Sequence, residues 1–361
     1  MEKSCDVLVS GTGSFAARIV FDIAATANSP VRVVIAGRNR ERLSWIKVAA
    51  NARAAIFRRP AAFETFEIDL LAASAPAQLI AATSPRVVIQ AASVQTSAVI
   101  AKSGDGWSKL VAEGGLSATA VSNSLISSRV AAAISASGKP IGLINCCFPD
   151  VVNGIIKAMG HEVVSGVGNV AILSSVFAGA RGLDDGGRIK VLAHYQTIAA
   201  FRRKPDERSG TPPRVWIDGT EIKDVYAEFA DVKLTPEPAI DISGASGVPL
   251  ALALADGTDW VGHTPGPHGL PGGYPVRLHE RQLALDLPAG ITAAEAVAWN
   301  AAFEQNSGLV IDELGNARYT GRLQECLRAH SPTLAEGFQV KDLESVYLEM
   351  LRLRETLEVQ H

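Results

Sequence analysis

The chain has 361 residues, of which 47% are hydrophobic and 20% charged, and a formal net charge of -3. That length predicts two domains with buried cores, and the charge balance gives no electrostatic reason to bind nucleic acid or an anionic membrane. Cys5, Cys146, Cys147 and Cys326 show neither metal-ligand spacing nor a secreted disulfide framework.

The first apolar run, residues 7–9, predicts a buried strand that enters Gly11-Thr12-Gly13-Ser14-Phe15-Ala16. A helical pattern follows through Ile19, Val20 and Ile23. In that setting Gly11 supplies a tight turn, Gly13 lets the backbone approach a pyrophosphate, and Ala16 lets the helix pack closely on the strand. The N–H groups at the helix start, at Ser14 and Phe15, would face the diphosphate with the helix dipole behind them.

A second strand, residues 31–36, leads into Gly37-Arg38-Asn39-Arg40-Glu41-Arg42. A site that prefers NAD carries a carboxylate near this strand end, on the ribose 2′-hydroxyl. Here the nearby acid, Glu41, falls inside the next helix. Arg38 and Arg40 present guanidinium forks that suit a 2′-phosphate, so the expected cofactor is NADP. A solvated basic helix start is the competing reading, which the helix dipole slightly disfavours.

Residues 63–68 predict a third strand ending at Asp69, which either approaches the adenine or caps the next helix. Residues 86–90 predict a fourth, closed by Ala91, Ala92 and Ser93, whose small side chains admit a nicotinamide. Helices are expected over 107–113 and 122–137, and a buried strand over 140–147. This alternation implies an α/β chain whose residues 1–150 form a doubly wound parallel sheet, a Rossmann domain. Residues 151–361 are the expected α+β substrate domain, with the last helix packing back on the first.

Beyond Val151 a helical pattern reaches Met159, and residues 163–173 read as strand. Residues 186–201 fit strand or helix. A basic loop over 202–213 precedes alternating segments at 214–217 and 225–229. Gly and Pro crowd 262–274, and helical patterns cover 293–306 and 343–357.

The succession VVIQAAS, a helix, INCCFPDVVNGIIKAMG, SGVGNVAIL and VLAHYQ resembles the lactate/malate dehydrogenase superfamily over about residues 5–200. The resemblance implies a strand-end loop at the nicotinamide, an Asn-Pro-x-Asp helix start, a Gly-x-Gly-x-x-Leu-Asp-x-x-Arg stretch and a catalytic histidine, which falls on His194. Two departures stand out. Phe148 occupies the place of the asparagine before Pro149. Residues 171–175 supply neither the Asp that partners the histidine nor the Arg that binds a substrate carboxylate, leaving Arg181 or Arg188 as nearby replacements. The cofactor half is also similar to opine and saccharopine dehydrogenases.

What these resemblances imply is an NADP-dependent oxidoreductase moving hydride between nicotinamide and a small keto, hydroxy or imino substrate. An imine reductase joining an amine and a keto acid is one alternative, and a non-catalytic dinucleotide-sensing regulator is another. A homo-oligomer, in the form of a homodimer, is a further expectation. The segment MEKSCDVLVSG lacks a signal-peptide hydrophobic region, and no window holds about 18 uninterrupted apolar residues, so the expected location is cytoplasmic.

His194 is the candidate acid. Reduction of C=O or C=N leaves charge that a proton donor quenches, and imidazole titrates near neutrality. A half-exposed histidine beside Tyr195 is the competing reading. His263 and His268 stand in the Gly/Pro-rich stretch as substrate-loop candidates, and no nearby cysteine completes a metal set, so no metal is assigned. Tyr274 is the other candidate donor, with a packed aromatic as its alternative. Asp184 and Asp185 read as a solvated turn.

Overall fold

The computed structural model describes residues 4–95, 104–184 and 186–359. Among these, six parallel strands form one sheet: β1 (Val7–Ser10), β2 (Val31–Gly37), β3 (Ala61–Glu67), β4 (Val87–Gln90), β5 (Gly142–Asn145) and β6 (Ser165–Gly166). Their order is β3-β2-β1-β4-β5-β6. Every residue of β1 and β4 is buried, as a sheet covered on both faces requires. The helices that cover it include α1 (Ser14–Thr26), α2 (Arg40–Phe57), α3 (Ala75–Thr83), α4 (Gly106–Gly114), α5 (Ala120–Ser137), α6 (Pro149–Ala158) and α7 (Val170–Arg181). This is the doubly wound architecture expected of the first half.

Alternate residues of β1 feed opposite cores, because side chains switch face at each step along a strand. Val7 and Val9 join Ile19, Val20 and Ile46 of α1 and α2, together with Leu250, Leu254 and Leu278 from the second half. Leu8 joins Leu79 and Val130, together with Leu323, Met350 and Leu357. Both cores therefore take residues from either side of residue 150. The helix Leu343–Glu358 lies against α4 and α5, fixed by a bidentate Arg129–Glu344 pair.

The second half is built of small antiparallel sheets and helices. One sheet pairs Trp260–Pro265, Gly273–His279 and Gln282–Leu285, and another pairs Ile189–Leu192 with Arg214–Ile217. A bridge between Ala193 and Gly273 ties the two together and sets His194 beside the strand carrying Tyr274. The ends of the Gly/Pro-rich stretch, 262–265 and 273–274, are thus paired strand, and 266–272 is a turn that holds the 3-10 helix Pro267–Gly269.

Two local expectations differ from the structure, and the open one over 186–201 resolves into both of its alternatives. Residues 163–173 hold the two-residue strand β6 and the start of α7, because the apolar run 170–173 that opens the helix is buried throughout and shows no period. Residues 186–201 divide into the strand Ile189–Leu192 and a 3-10 helix, Tyr195–Arg202. Residues 225–229 contain the short helix Val225–Glu228, capped by the Asp224 side chain.

The stretch Ala239–Asp256 reaches membrane-spanning length with a hydropathy of 1.3. It is 56% buried inside the fold, and Asp241 within it pairs with Arg18 of α1. A core helix passes the same length and composition test.

Candidate functional site

β1 lies between β2 and β4, the place where the strand order reverses and where open α/β sheets bind ligands. Gly11 closes β1 at φ +122°, and a Cβ there would come within 3.1 Å of the Ala91 carbonyl carbon and the Ala92 nitrogen. The glycine is needed because the end of β4 runs alongside it. Gly13 precedes α1 at φ -70°, and a Cβ there would meet nothing within 4 Å. Its backbone is ordinary, so the open space beside it is the feature a diphosphate would use. Ser14 and Phe15 start α1, and Ala16 is buried at 2% exposure, allowing the close packing its size predicts. Ala91 donates its N–H to the Ser10 carbonyl, while the Ser93 hydroxyl is spent on Gln95 and Asn123.

At the end of β2, Arg38 pairs with Asp69 at 3.6 Å and Arg40 with Glu67 at 3.7 Å, all four side chains exposed. Such pairs are weak and open easily to a phosphate. Asp69 accepts the Leu71 N–H in a tight turn, and Ser74, not Asp69, stands before α3. A residue missed in the sequence is Arg42, whose Nε lies 3.4 Å from the Thr12 carbonyl of the glycine-rich loop. It belongs to the same Arg-x-Arg-x-Arg run, and only the turn made by Asn39 brings it back over the loop.

The carboxyl ends of β5 and β6 build a second cluster. Phe148 and Asn169, the residues just before α6 and α7, hold φ values of 49° and 50°. Positive φ in a non-glycine residue is strained and persists where packing enforces it. Phe148 packs edge-on against Tyr195 at 4.9 Å, and the Asn169 amide donates to Asp150. Asp150 also accepts the Tyr195 N–H at 3.2 Å. Burial raises the Asp150 carboxyl above its usual range, an effect opposed by His194 and by the Asn169 amide.

His194 is fully buried rather than half-exposed. Its ring stacks on Phe303 at 4.8 Å and tilts against Tyr195 at 4.4 Å. Nε2 lies 3.3 Å from Oε1 of Glu304, and Nδ1 accepts the Gln196 N–H at 3.4 Å. Glu304 is the second residue missed. It sits on the helix Ala293–Asn306, and its Oε2 takes the Leu309 N–H at 2.6 Å and the Ser117 hydroxyl at 2.8 Å. Ser117 in turn lies 3.1 Å from the Tyr195 hydroxyl, which burial and then Glu304 keep protonated. The sequence signal was Asn300 and Glu304, polar residues four apart in an otherwise apolar stretch, hence on one helix face.

Tyr274 is also fully buried and donates its hydroxyl to the Pro271 carbonyl at 2.6 Å. Burial pushes its phenol up, with Asn300 and Asp150 close enough to be felt. His268 is exposed, with Nε2 at 2.7 Å from the Leu283 carbonyl, and no described contact joins it to His194. His263 accepts the Val191 N–H at 2.9 Å. Among the described residues no group of three or more His, Cys, Asp or Glu is placed to hold a metal. Arg181 is engaged by Glu228 and Arg188 by Asp218, so neither expected replacement reaches this cluster. Asp184 lies among the described residues and Asp185 outside them.

No family model matches the chain, and no curated protein matches it in sequence. Solved structures do match in shape. A minor L-lactate dehydrogenase from Enterococcus mundtii aligns at a TM-score of 0.50 and 15% identity, covering 83% of this chain and 96% of that one. The malate dehydrogenase of Picrophilus torridus aligns at 0.52 and 12%, covering 97% and 99%. A lactate dehydrogenase from Eimeria maxima, solved with NADH and oxamate, aligns at 0.51 and 12%, covering 84% and 94%. The fold is that of the lactate and malate dehydrogenases. Identities this low carry the architecture and leave the chemistry to the residues.

Proposed function

We propose that the chain is an NADP-dependent oxidoreductase that moves hydride between a nicotinamide and a small keto, hydroxy or imino substrate. The observation that carries this reading is the glycine cradle, where Gly11 is forced by the neighbouring strand and Gly13 faces open space. Gly11, Gly13 and the first turn of α1 would hold the diphosphate, and Arg38, Arg40 and Arg42 a 2′-phosphate. No carboxylate stands between Gly37 and Asn39 to select the free 2′-hydroxyl. The bound nicotinamide would supply the hydride chemistry. His194, with Glu304 and Asp150 beside it, would hold and return a proton.

NADPH is expected to bind more tightly than NADH. Arg38→Ala should weaken NADPH by about 1–3 kcal/mol, the range for charge-assisted hydrogen bonds, and leave NADH unchanged. Fluorescence titration checks both, and equal affinities in the unmutated chain sink the NADP assignment. Oxidation of NADPH in a screen of keto acids, with and without amines, tests the reaction itself. A non-catalytic dinucleotide sensor is the second reading, favoured by the burial of His194 with both ring nitrogens turned to protein groups. Tight NADPH binding with no turnover across that screen would select it.

A further inference from the structure

A groove of about 600 Å³ is bounded by α7, by the helices Pro236–Ser246 and Val248–Asp256, and by the strand Trp260–Pro265. Ile242, Ala245, Pro249 and Val261 give it apolar walls, with the half-buried indole of Trp260 beside them. Trp260 owes its place to Gly262, two residues on and on the same face of the strand. Gly262 has no left-handed φ, yet a Cβ there would come within 2.2 Å of the indole Cζ2 and 2.6 Å of Cη2. The backbone does not require a glycine; the ring does. Glycine inside a strand marks a close approach, here of a ring held against the strand at the side of the groove.

Polar groups on the lining are engaged by the protein. Asp241 holds the Arg18 guanidinium at 2.7 Å. The Ser246 hydroxyl donates to the Ser243 carbonyl at 2.8 Å and accepts the Gly168 N–H at 3.2 Å. Nε2 of His263 accepts the Val191 N–H at 2.9 Å. What the groove offers a ligand is therefore chiefly apolar surface and an indole to stack on.

The same bonds tie the groove to the cluster around His194. Gly168 precedes Asn169, whose amide holds Asp150, and Val191 lies three residues before His194. Ser175 on the groove wall stands six residues along α7 from Asn169, about 9 Å at the helical rise. One molecule of about that span bridges the two. The groove also falls within the range of about 300–1,000 Å³ for sites that take drug-sized ligands, more than a three-carbon acid fills.

We propose that the groove seats an apolar, ring-bearing end of the substrate, with the ring against Trp260 and the carbonyl or hydroxyl carbon directed to Asp150, Asn169 and His194. This rests on the oxidoreductase reading and names its substrate class as aryl-substituted ketones and alcohols.

Calorimetric titration of the full chain with phenylacetone and acetone, neutral ketones that differ by the ring, tests the proposal with and without NADPH. Phenylacetone is expected to bind at least about tenfold more tightly than acetone. Ala245→Trp, at an exposed helix position, places a new ring in the groove and should cut phenylacetone affinity at least about tenfold while NADPH affinity holds. Trp260→Leu should weaken phenylacetone in the same direction by removing the stacking face. Unchanged phenylacetone affinity in a folded Ala245→Trp chain overturns the proposal, as does an unmutated chain that does not bind phenylacetone. NMR of the unmutated chain decides even if neither variant folds. Intermolecular NOEs from the phenylacetone ring to the Trp260 indole are expected, and their absence at saturation places the ring elsewhere. Failure to bind either nicotinamide dinucleotide would instead defeat the oxidoreductase reading, and the phenylacetone titration without nucleotide would still decide the groove.

Discussion

Gly11 and Gly13 stand two residues apart and answer to different constraints. Gly11 has a φ that side chains avoid and a neighbouring backbone at 3.1 Å from any added Cβ. Gly11→Ala should therefore cost about 1–3 kcal/mol of stability, read as a lowered urea midpoint. Gly13 has a permissive φ and empty space, so Gly13→Val should fold with a near-normal midpoint yet lose nucleotide binding. Retained NADPH affinity in a folded Gly13→Val protein would place the nucleotide elsewhere. Asp150 supplies a prediction of a different kind. Burial raises its carboxyl above the ordinary 3.8, so the folded chain holds that proton more tightly than the unfolded chain. Its contribution is greatest at pH values below the ordinary one and is lost as pH rises through the raised one. Asp150→Asn should remove that segment of the stability curve, visible as a difference in urea midpoint that grows upward from about pH 4.

The helix Ala293–Asn306 shows how an element governs a site it does not announce. Thr292 and Glu295 form a reciprocal capping box at its start, and Asn300 and Glu304 follow on its buried face. Thr292→Ala should cost about 1 kcal/mol by urea denaturation. Because the first turn anchors the helix that carries Glu304, the imidazole resonances of His194 should broaden in the same variant, measurable by NMR. Elements of the first half were legible because runs such as residues 7–9 and 86–90 are short, apolar and bounded by glycine or small residues. The glycine cradle was legible for the same reason, since Gly11, Gly13 and Ala16 are adjacent in sequence. α7 was not, because Val170, Ile172, Leu173 and Phe177 are buried in a third core on several sides and no polar face marks the helical period. Glu304 escaped because the partner of a histidine is chosen by folding, and 110 residues separate the two. Arg42 escaped because its reach to Thr12 depends on the turn at Asn39.

At the scale of the whole molecule, the two large cores bind the halves of the chain together. Val9 shares one with Leu250, and Leu8 shares the other with Met350. Unfolding should accordingly be a single cooperative transition, with far-UV circular dichroism and tryptophan fluorescence giving coincident urea curves. Two separated transitions, one for each half, would contradict this interleaving. The same arrangement bears on how the chain is made. Leu8 is made 349 residues before Leu357, a member of the same core. At about 5–20 residues per second the first sheet waits tens of seconds with one apolar face uncovered. During that interval a nascent chain is a client for chaperones, and ribosome-bound fragments ending near residue 340 should be protease-sensitive where the released chain is resistant.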